Sequence, residues 1–192
     1  MEEDKLKFEF IASPNFWPGR KVPCTVLVYH YTAGGPIESC VKYFQQKDGT
    51  SAHFVIERDG KIVQMVKLTD RAWHAGESIW KGVKGVNNFS IGVEICNWGL
   101  LKKKGNDYFC WPKDYSQKFT GIEPFKDSKG DFWENYPEAQ IKSLINVSKF
   151  ILEKFPTITL DNIIGHENIA PGRKKDPGSA FLWEVVKSEL KR

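Results

Sequence analysis

The sequence predicts a single α/β domain in which a mixed central β-sheet is flanked by helices. A chain of 192 residues has the length of one domain with a full hydrophobic core. Runs of β-branched and apolar residues alternate along it with amphipathic helical segments, which is the pattern of a helix-flanked sheet. Internal repeats and low-complexity tracts are absent from the sequence. We therefore expect residues 1–192 to form one domain.

The first predicted elements are a central strand and a short helix. Residues 24–32, "CTVLVYHYT", are apolar and end in the turn sequence "AGGP", which predicts a strand with His30 at its C-terminal edge. The helix begins near Pro36, and its apolar face consists of Ile37, Val41 and Phe44.

A hairpin, a long loop and a second strand follow. Residues 51–68 contain two β-rich runs joined by Asp59 and Gly60, a strong hairpin signal. Residues 71–88 are rich in glycine and polar residues and predict a surface loop, the kind of segment that often lines sites. Residues 89–98 return to a strand pattern, with Glu94 on the face opposite to Ile91, Val93 and Ile95.

The C-terminal half contains the clearest helix of the sequence. Residues 99–135 have no periodicity and predict an irregular excursion, and a loop of that length is usually functional or mobile. The helix predicted over residues 136–155 has a core face of Ile141, Leu144, Ile145, Ser148 and Leu152. A brief strand then leads into the loop "GHENIAPGRKKDPG", and an amphipathic helix covers residues 179–192.

Composition narrows the possible partners and compartments. The net charge is only +4 and basic and acidic residues are interspersed, so we expect no nucleic-acid partner. No apolar run could span a membrane and the N-terminus lacks a signal-peptide core, so we expect cytoplasmic synthesis, with later export or release left open. The four cysteines have no CxxC spacing, which excludes a zinc knuckle, although one disulfide stays possible.

Two of the four histidines are candidates for a metal site. His30 and His166 both end strands and enter glycine-rich loops, where side chains from different strands can meet at one sheet edge. With the carboxylate of Asp176 they would form a common catalytic zinc set that leaves a fourth position for water. Each residue alone also has a simpler explanation, a hydrogen-bonded structural histidine or an aspartate in a turn.

Six segments together resemble the zinc-dependent N-acetylmuramoyl-L-alanine amidases of the AmpD and AmiD type, within the amidase and peptidoglycan-recognition superfamily. In order, they are "VYHYTAGG", "SAHFVIERDGKIVQMV", "RAWHAGES", "NNFSIGVEICNWG", "YPEAQIKSLI" and "GHENIAPGRKKDPGSAFLW". They place the domain core at about residues 24–183, with residues 99–135 outside the match. The resemblance implies Zn²⁺ held by His30, His166 and Asp176, and catalytic roles for Glu94 and Lys174.

The implied reaction is hydrolysis of the amide bond between N-acetylmuramic or anhydro-muramic acid and L-alanine, in peptidoglycan or muropeptides. Glu94 would act as the general base and Lys174 would stabilise the oxyanion. Without the resemblance, Glu94 would be an outward-facing strand carboxylate. Lys174 would then belong to a solvated basic turn, which is the expectation for Arg173 and Lys175 in either case.

The resemblance also implies that Trp73 and His74 contact the substrate, with simple loop packing as the alternative. His53 is expected to be structural. Ala52 stands where some phage relatives have a catalytic tyrosine, which assigns more of the proton transfer to Glu94. Tyr31 follows the first histidine where AmpD-type enzymes have a small polar residue, so the choice between intact wall and anhydro-muropeptides stays open.

Two other functions remain open from the sequence. A non-catalytic peptidoglycan-binding module would typically lack the third ligand, whereas Asp176 is present. An antibacterial toxin delivered into another cell would carry the same active site as a recycling enzyme. For either role we expect a monomer with a peptidoglycan or muropeptide partner.

Overall fold

The computed structural model describes residues 8–110 and 115–191. The strands, in chain order, are β1 Glu9–Phe10, β2 Phe16–Trp17, β3 Val26–Tyr31, β4 Phe54–Ile56, β5 Ile62–Gln64, β6 Arg71–Ala72, β7 Ile79–Trp80, β8 Val83–Lys84, β9 Ser90–Ile95, β10 Leu100–Lys104, β11 Asp107–Cys110, β12 Gln117–Lys118, β13 Phe125–Lys126, β14 Phe132–Trp133 and β15 Ile163–Gly165. The α-helices are α1 Ile37–Phe44, α2 Glu138–Lys154, α3 His166–Ile169 and α4 Trp183–Glu189.

The main sheet has six strands in the order β1-β5-β4-β9-β3-β15. The β4–β5 hairpin is antiparallel, whereas β9 pairs in parallel with both β4 and β3. β15 also runs parallel to β3. The carboxyl ends of β3, β9 and β15 consequently lie at one edge, where ligands bind in parallel sheets. This is the mixed, helix-flanked sheet that the sequence predicts.

Alternate residues of β3 face opposite sides of the sheet. Leu27 and Tyr29 belong to the main core with α2 and α4, and Tyr29 forms a hydrogen bond with Ser148 of α2. Val26 and Val28 pack on the other side in a smaller cluster with Ile164. By the period-two alternation of a strand, His30 lies on this second side, away from α2.

Several predicted elements are confirmed. The strand predicted at residues 24–32 is β3, the hairpin is β4–β5, and the strand at 89–98 is β9. The C-terminal helix is shorter than predicted, because α4 begins at Trp183. The helix over 136–155 is α2, and its five predicted core residues are all buried: Ile141, Leu144, Ile145, Ser148 and Leu152.

The prediction of an irregular excursion over residues 99–135 is wrong for the described part. A second sheet of five strands, in the order β12-β11-β10-β14-β13, occupies it. Its strands contain lysine and aromatic residues instead of alternating apolar and polar ones, which hides their period. The Lys103 ammonium lies 5.4 Å from the ring centroids of both Tyr108 and Phe132, so cation–π contacts replace part of an apolar core.

The prediction of a surface loop over residues 71–88 is wrong for its two ends, whereas residues 76–85 are exposed or half-buried. His74 and Ala75 are buried, and the short strands β6, β7 and β8 lie within the segment. The buried amides of His74 and Ala75 both donate to the side chain of Asn87, a pairing that composition alone does not reveal. Across residues 8–110 and 115–191, no helix has both the length and the hydropathy to cross a bilayer.

Candidate active site

Three elements bring His30, His166 and Asp176 together. His30 is near the end of β3, and His166 is the first residue of α3, directly after β15. Because β15 pairs in parallel with β3, the two strand ends lie side by side. Asp176 is held in the following loop, where its backbone carbonyl accepts a hydrogen bond from the amide of Glu167 at 3.0 Å.

The three side chains form a compact, buried cluster. His30 Nδ1 lies 2.9 Å from His166 Nδ1, and each of these nitrogens lies 3.0 Å from Asp176 Oδ2. The residues are 1%, 4% and 5% exposed, respectively. These atoms form a group that could hold a metal ion. The site predicted from the sequence is therefore assembled in the structure.

The outer ring nitrogens determine where the protons lie. His166 Nε2 is 3.1 Å from the carbonyl oxygen of Ala75, which can only accept, so this nitrogen carries the proton. His30 Nε2 lies 3.0 Å from His74 Nδ1. His74 Nε2 in turn lies 2.9 Å from Ser90 Oγ, whose hydroxyl donates to the carbonyl of Val86. His74 therefore donates to Ser90 and accepts from His30.

This hydrogen-bond network leaves lone pairs on His30 Nδ1, His166 Nδ1 and Asp176 Oδ2, which face one another. Burial lowers the pKa of His30 to about 4, despite the opposing effect of Asp176, so the imidazole is neutral near pH 7. Asp176 is a carboxylate near pH 7, because its pKa lies below its usual range. Both Nδ1 atoms and Asp176 Oδ2 are then acceptors without a proton among them. Such a set fits a bound metal ion.

Glu94 is buried beside this cluster and is not the solvated strand carboxylate of the alternative interpretation. It is the register partner of His30 in the β3–β9 pair, and it is 9% exposed. Its Oε2 atom has no hydrogen-bond partner among the described residues. Burial raises the pKa of Glu94 well above its ordinary value of 4.5, Asp176 adds to this effect, and Lys174 opposes it.

The basic turn contains residues with different surroundings. Lys174 and Lys175 are exposed and line the cleft over the cluster. The Lys174 charge also lowers the pKa values of His30 and Glu94, which places it within electrostatic reach of both. Arg173 is not merely solvated, because its Nη2 donates to the carbonyls of Ala75 at 3.0 Å and Glu77 at 2.6 Å.

Trp73 and His74 differ in their access to the cleft. His74 lines it, but both of its ring nitrogens are engaged by His30 and Ser90. Trp73 packs its ring 5.5 Å from that of Trp17, and its Nε1 atom has no hydrogen-bond partner among the described residues. Their predicted contact with substrate stays a prediction.

His53 has the surroundings of a structural residue. Its Nδ1 accepts a hydrogen bond from the amide of Gly92 at 3.0 Å, and its Nε2 lies 3.2 Å from the carbonyl of Asp70. Burial and the charge of Arg20 lower its pKa to about 3, so the ring is neutral. These contacts agree with the structural role that the sequence analysis expects.

The cleft has a volume of about 1020 Å³ and is lined by both sheets. Residues of the excursion contribute to one wall, among them Leu100, Tyr115 and Gln117. Tyr43 of α1, which is 55% exposed, also lines the cleft. The segment that the sequence left without a role therefore shapes the site.

An ion pair that sequence reasoning missed ties the excursion to the cleft. Glu134 accepts hydrogen bonds from Arg58 Nε at 2.7 Å, from Arg58 Nη2 at 2.9 Å and from the amide of Trp98. Arg58 also donates to the carbonyls of Gly34 and Gly35, in the loop after β3. The two residues are far apart in sequence, and no local pattern connects them.

Comparison with known proteins identifies the class. Residues 19–179 match the N-acetylmuramoyl-L-alanine amidase family, and the chain belongs to this family.

Named relatives within it are AmpD and AmiD proteins. The chain is 37% identical over 141 residues to the 1,6-anhydro-N-acetylmuramyl-L-alanine amidase AmpD of Haemophilus influenzae, covering 73% of this chain and 59% of that protein. It is 34% identical over 168 residues to the N-acetylmuramoyl-L-alanine amidase AmiD of Escherichia coli, covering 84% of this chain and 51% of that protein. The chain thus spans between half and three fifths of the length of these two relatives.

A solved structure of AmiD shares the fold. The complex of E. coli AmiD with the substrate anhydro-N-acetylmuramic acid-L-Ala-D-γ-Glu-L-Lys superposes with a TM-score of 0.67 at 29% sequence identity. The match covers 86% of this chain and 57% of that chain.

Proposed function

We propose that this protein is a zinc-dependent amidase that hydrolyses the bond between the lactyl group of muramic acid and L-alanine, in peptidoglycan or muropeptides. The observation that carries this proposal is the buried cluster of His30 Nδ1, His166 Nδ1 and Asp176 Oδ2, which lie 2.9–3.0 Å from one another. Two imidazoles and one carboxylate are a common catalytic zinc set, in which one coordination position stays open.

Zinc at such a site supplies a Lewis acid for the amide carbonyl and lowers the pKa of a bound water to about 7. The protein supplies the proton transfers. Glu94 takes the proton of the attacking water and delivers it to the departing L-alanine nitrogen. A raised pKa suits this exchange, because the carboxylate has to gain and lose a proton near neutral pH.

Lys174 stabilises the negative charge that develops on the carbonyl oxygen. It is exposed at the cleft, and its charge reaches both His30 and Glu94. Muropeptides also carry carboxylates on the lactyl-linked stem, which Lys174 and Lys175 would attract into the cleft. The relative E. coli AmiD is described in complex with a substrate of this chemical class.

The ligand set is tested by replacing one donor at a time. We expect Asp176→Asn and His166→Ala to lose both bound zinc, measured by atomic absorption, and release of free peptide from muropeptides, measured by chromatography. His53→Asn is the matched control, because it removes a buried imidazole outside the cluster while keeping an acceptor for the Gly92 amide. Full hydrolysis by the Asp176→Asn protein would disprove the proposal.

The bond and the substrate are tested together by mass spectrometry of the products. Intact sacculi and purified anhydro-muropeptides are incubated in parallel with the zinc-loaded protein. Release of peptides that begin with L-alanine supports the assigned bond, and the faster of the two substrates indicates wall degradation or recycling. Zinc binding without any product would instead indicate a binding module.

A further inference from the structure

His74 and Ala75 contact both histidines of the candidate metal site, His30 and His166, at the Nε2 atom of each ring. The side chain of His74 lies against His30, with 3.0 Å between His74 Nδ1 and His30 Nε2. The backbone carbonyl of Ala75 accepts a hydrogen bond from His166 Nε2 at 3.1 Å. One short stretch of chain therefore bonds to the outer nitrogen of each ring.

The contact to His30 continues through two more groups. His74 Nε2 lies 2.9 Å from Ser90 Oγ, and the Ser90 hydroxyl donates to the Val86 carbonyl at 2.7 Å. A hydroxyl has one proton, so Ser90 can only accept from His74. His74 therefore carries its proton on Nε2 and can only accept at Nδ1. His30 must then donate to it from Nε2. Its Nδ1 atom is left with a lone pair.

The two residues are fixed by groups on three sides. Asn87 Oδ1 accepts from the backbone amides of His74 at 3.1 Å and Ala75 at 2.8 Å. Arg173 Nη2 donates to the Ala75 carbonyl at 3.0 Å. A Cβ at Gly92 would lie 2.3 Å from the His74 ring, so the ring occupies space that only glycine leaves free.

We propose that His74 is a positioning residue which, with Ser90, holds His30 in the tautomer whose Nδ1 binds the metal. The Ala75 carbonyl does the same for His166. Outer-sphere hydrogen bonds of this type fix ring orientation and tautomer. The inference rests on the proposed function only for the identity of the metal, since the hydrogen-bond directions belong to the protein.

The test uses variants that keep the shape of the site. His74→Phe keeps a ring against Gly92 and removes both nitrogens, whereas His74→Asn keeps an acceptor where Nδ1 lies. With zinc alone in competition with a chromogenic chelator, we expect affinity to fall about 10–100-fold in His74→Phe. His74→Asn should recover most of that loss. Ser90→Ala should weaken zinc binding, because His74 then loses the acceptor that fixes which of its two nitrogens carries the proton.

Ser148→Ala is a closely matched control. Ser148 is as fully buried as Ser90, its hydroxyl donates to the carbonyl of Leu144 four residues earlier, and it bonds to the side chain of Tyr29. Ser148 lies on the opposite side of the sheet from the cluster. The zinc affinity of the Ser148→Ala protein should therefore equal that of the parent protein. Equal affinities in the Ser90→Ala, His74→Phe and Ser148→Ala proteins would overturn the inference.

Nitrogen-15 NMR of the metal-free parent protein reads the tautomer directly. We expect His30 and His166 to be protonated at Nε2 and unprotonated at Nδ1. Protonation of His30 at Nδ1 would overturn the inference even if His74→Phe failed to fold. Neither measurement involves substrate, so a parent protein that binds zinc but releases no peptide would refute the proposed amidase and leave this result standing.

Discussion

Glu94 and His30 are directly opposite one another in the parallel pair of β3 and β9. Sheet register, and not loop geometry, therefore sets the position of the carboxylate relative to the metal cluster. Adjacent parallel strands hold their residues rigidly, which is what a group that exchanges protons with a bound substrate requires.

Glu94→Gln should retain zinc and lose most of its turnover. The glutamine keeps the size of the side chain but cannot accept a proton, and general acid–base groups contribute about 10²–10⁴-fold. Peptide release and zinc content are measured on one preparation. A rate near that of the parent protein would assign the base to another residue.

The same substitution should stabilise the metal-free protein in a pH-dependent way. The folded protein raises the pKa of Glu94 above the ordinary 4.5, so the parent loses stability as pH rises from that value through the raised pKa. Glutamine does not titrate. Thermal melts in the presence of chelator should therefore show a gain for Glu94→Gln that grows from pH 4 to pH 8. A gain independent of pH would contradict a desolvated carboxylate.

Lys174→Met should lower kcat with little change in zinc affinity. Loss of one oxyanion donor typically costs about 10²–10³-fold in kcat. Lys175→Met is the matched control, because this neighbouring cation also lines the cleft and is expected only to attract substrate. Equal effects of the two substitutions would show that Lys174, like Lys175, only attracts the substrate and does not stabilise the oxyanion.

Arg58→Ala should destabilise the protein and weaken substrate binding together. It leaves Glu134 buried with the Trp98 amide but no cation, at a cost on the order of 1–3 kcal/mol. It also frees the loop at Gly34 and Gly35 that lines the cleft. Chemical denaturation and KM report the two effects. The double variant Arg58→Ala, Glu134→Gln should recover part of the stability, since the unpaired charge is gone. An unchanged KM would show that the ion pair does not contribute to substrate binding in the cleft.

Apolar periodicity and turn chemistry were sufficient to predict the central fold. The runs around Val28, Val55 and Val93 correctly predicted three strands, and Asp59-Gly60 located the hairpin. The second sheet was missed because lysine–aromatic contacts, such as those of Lys103, stabilise strands that have no apolar alternation. Local patterns do not encode such contacts.

The candidate metal site was predictable only in part. Strand ends and the resemblance located His30, His166 and Asp176, and the structure assembles them. The supporting bonds of Ser90, Asn87 and Arg173 were not predicted, because they join segments that are distant in sequence. Gly92 is a signal that could have pointed to the contact between His74 and Ser90. A glycine between Ser90 and Glu94 on one strand face indicates that a side chain packs closely against the strand there.

Ser90, Gly92 and Glu94 alternate along β9 on the side of the cluster, where they bond to His74, admit its ring and face the cleft, respectively. A single residue inserted directly before Ser90, with the rest of the sheet kept in register, would turn all three into the apolar layer against α2 and bring Ile91 and Val93 toward the cleft. Chain length is thus fixed within β9, whereas the β10–β11 turn at Gly105 and Asn106 is exposed and outside the cleft lining, so it can be lengthened without disturbing the site.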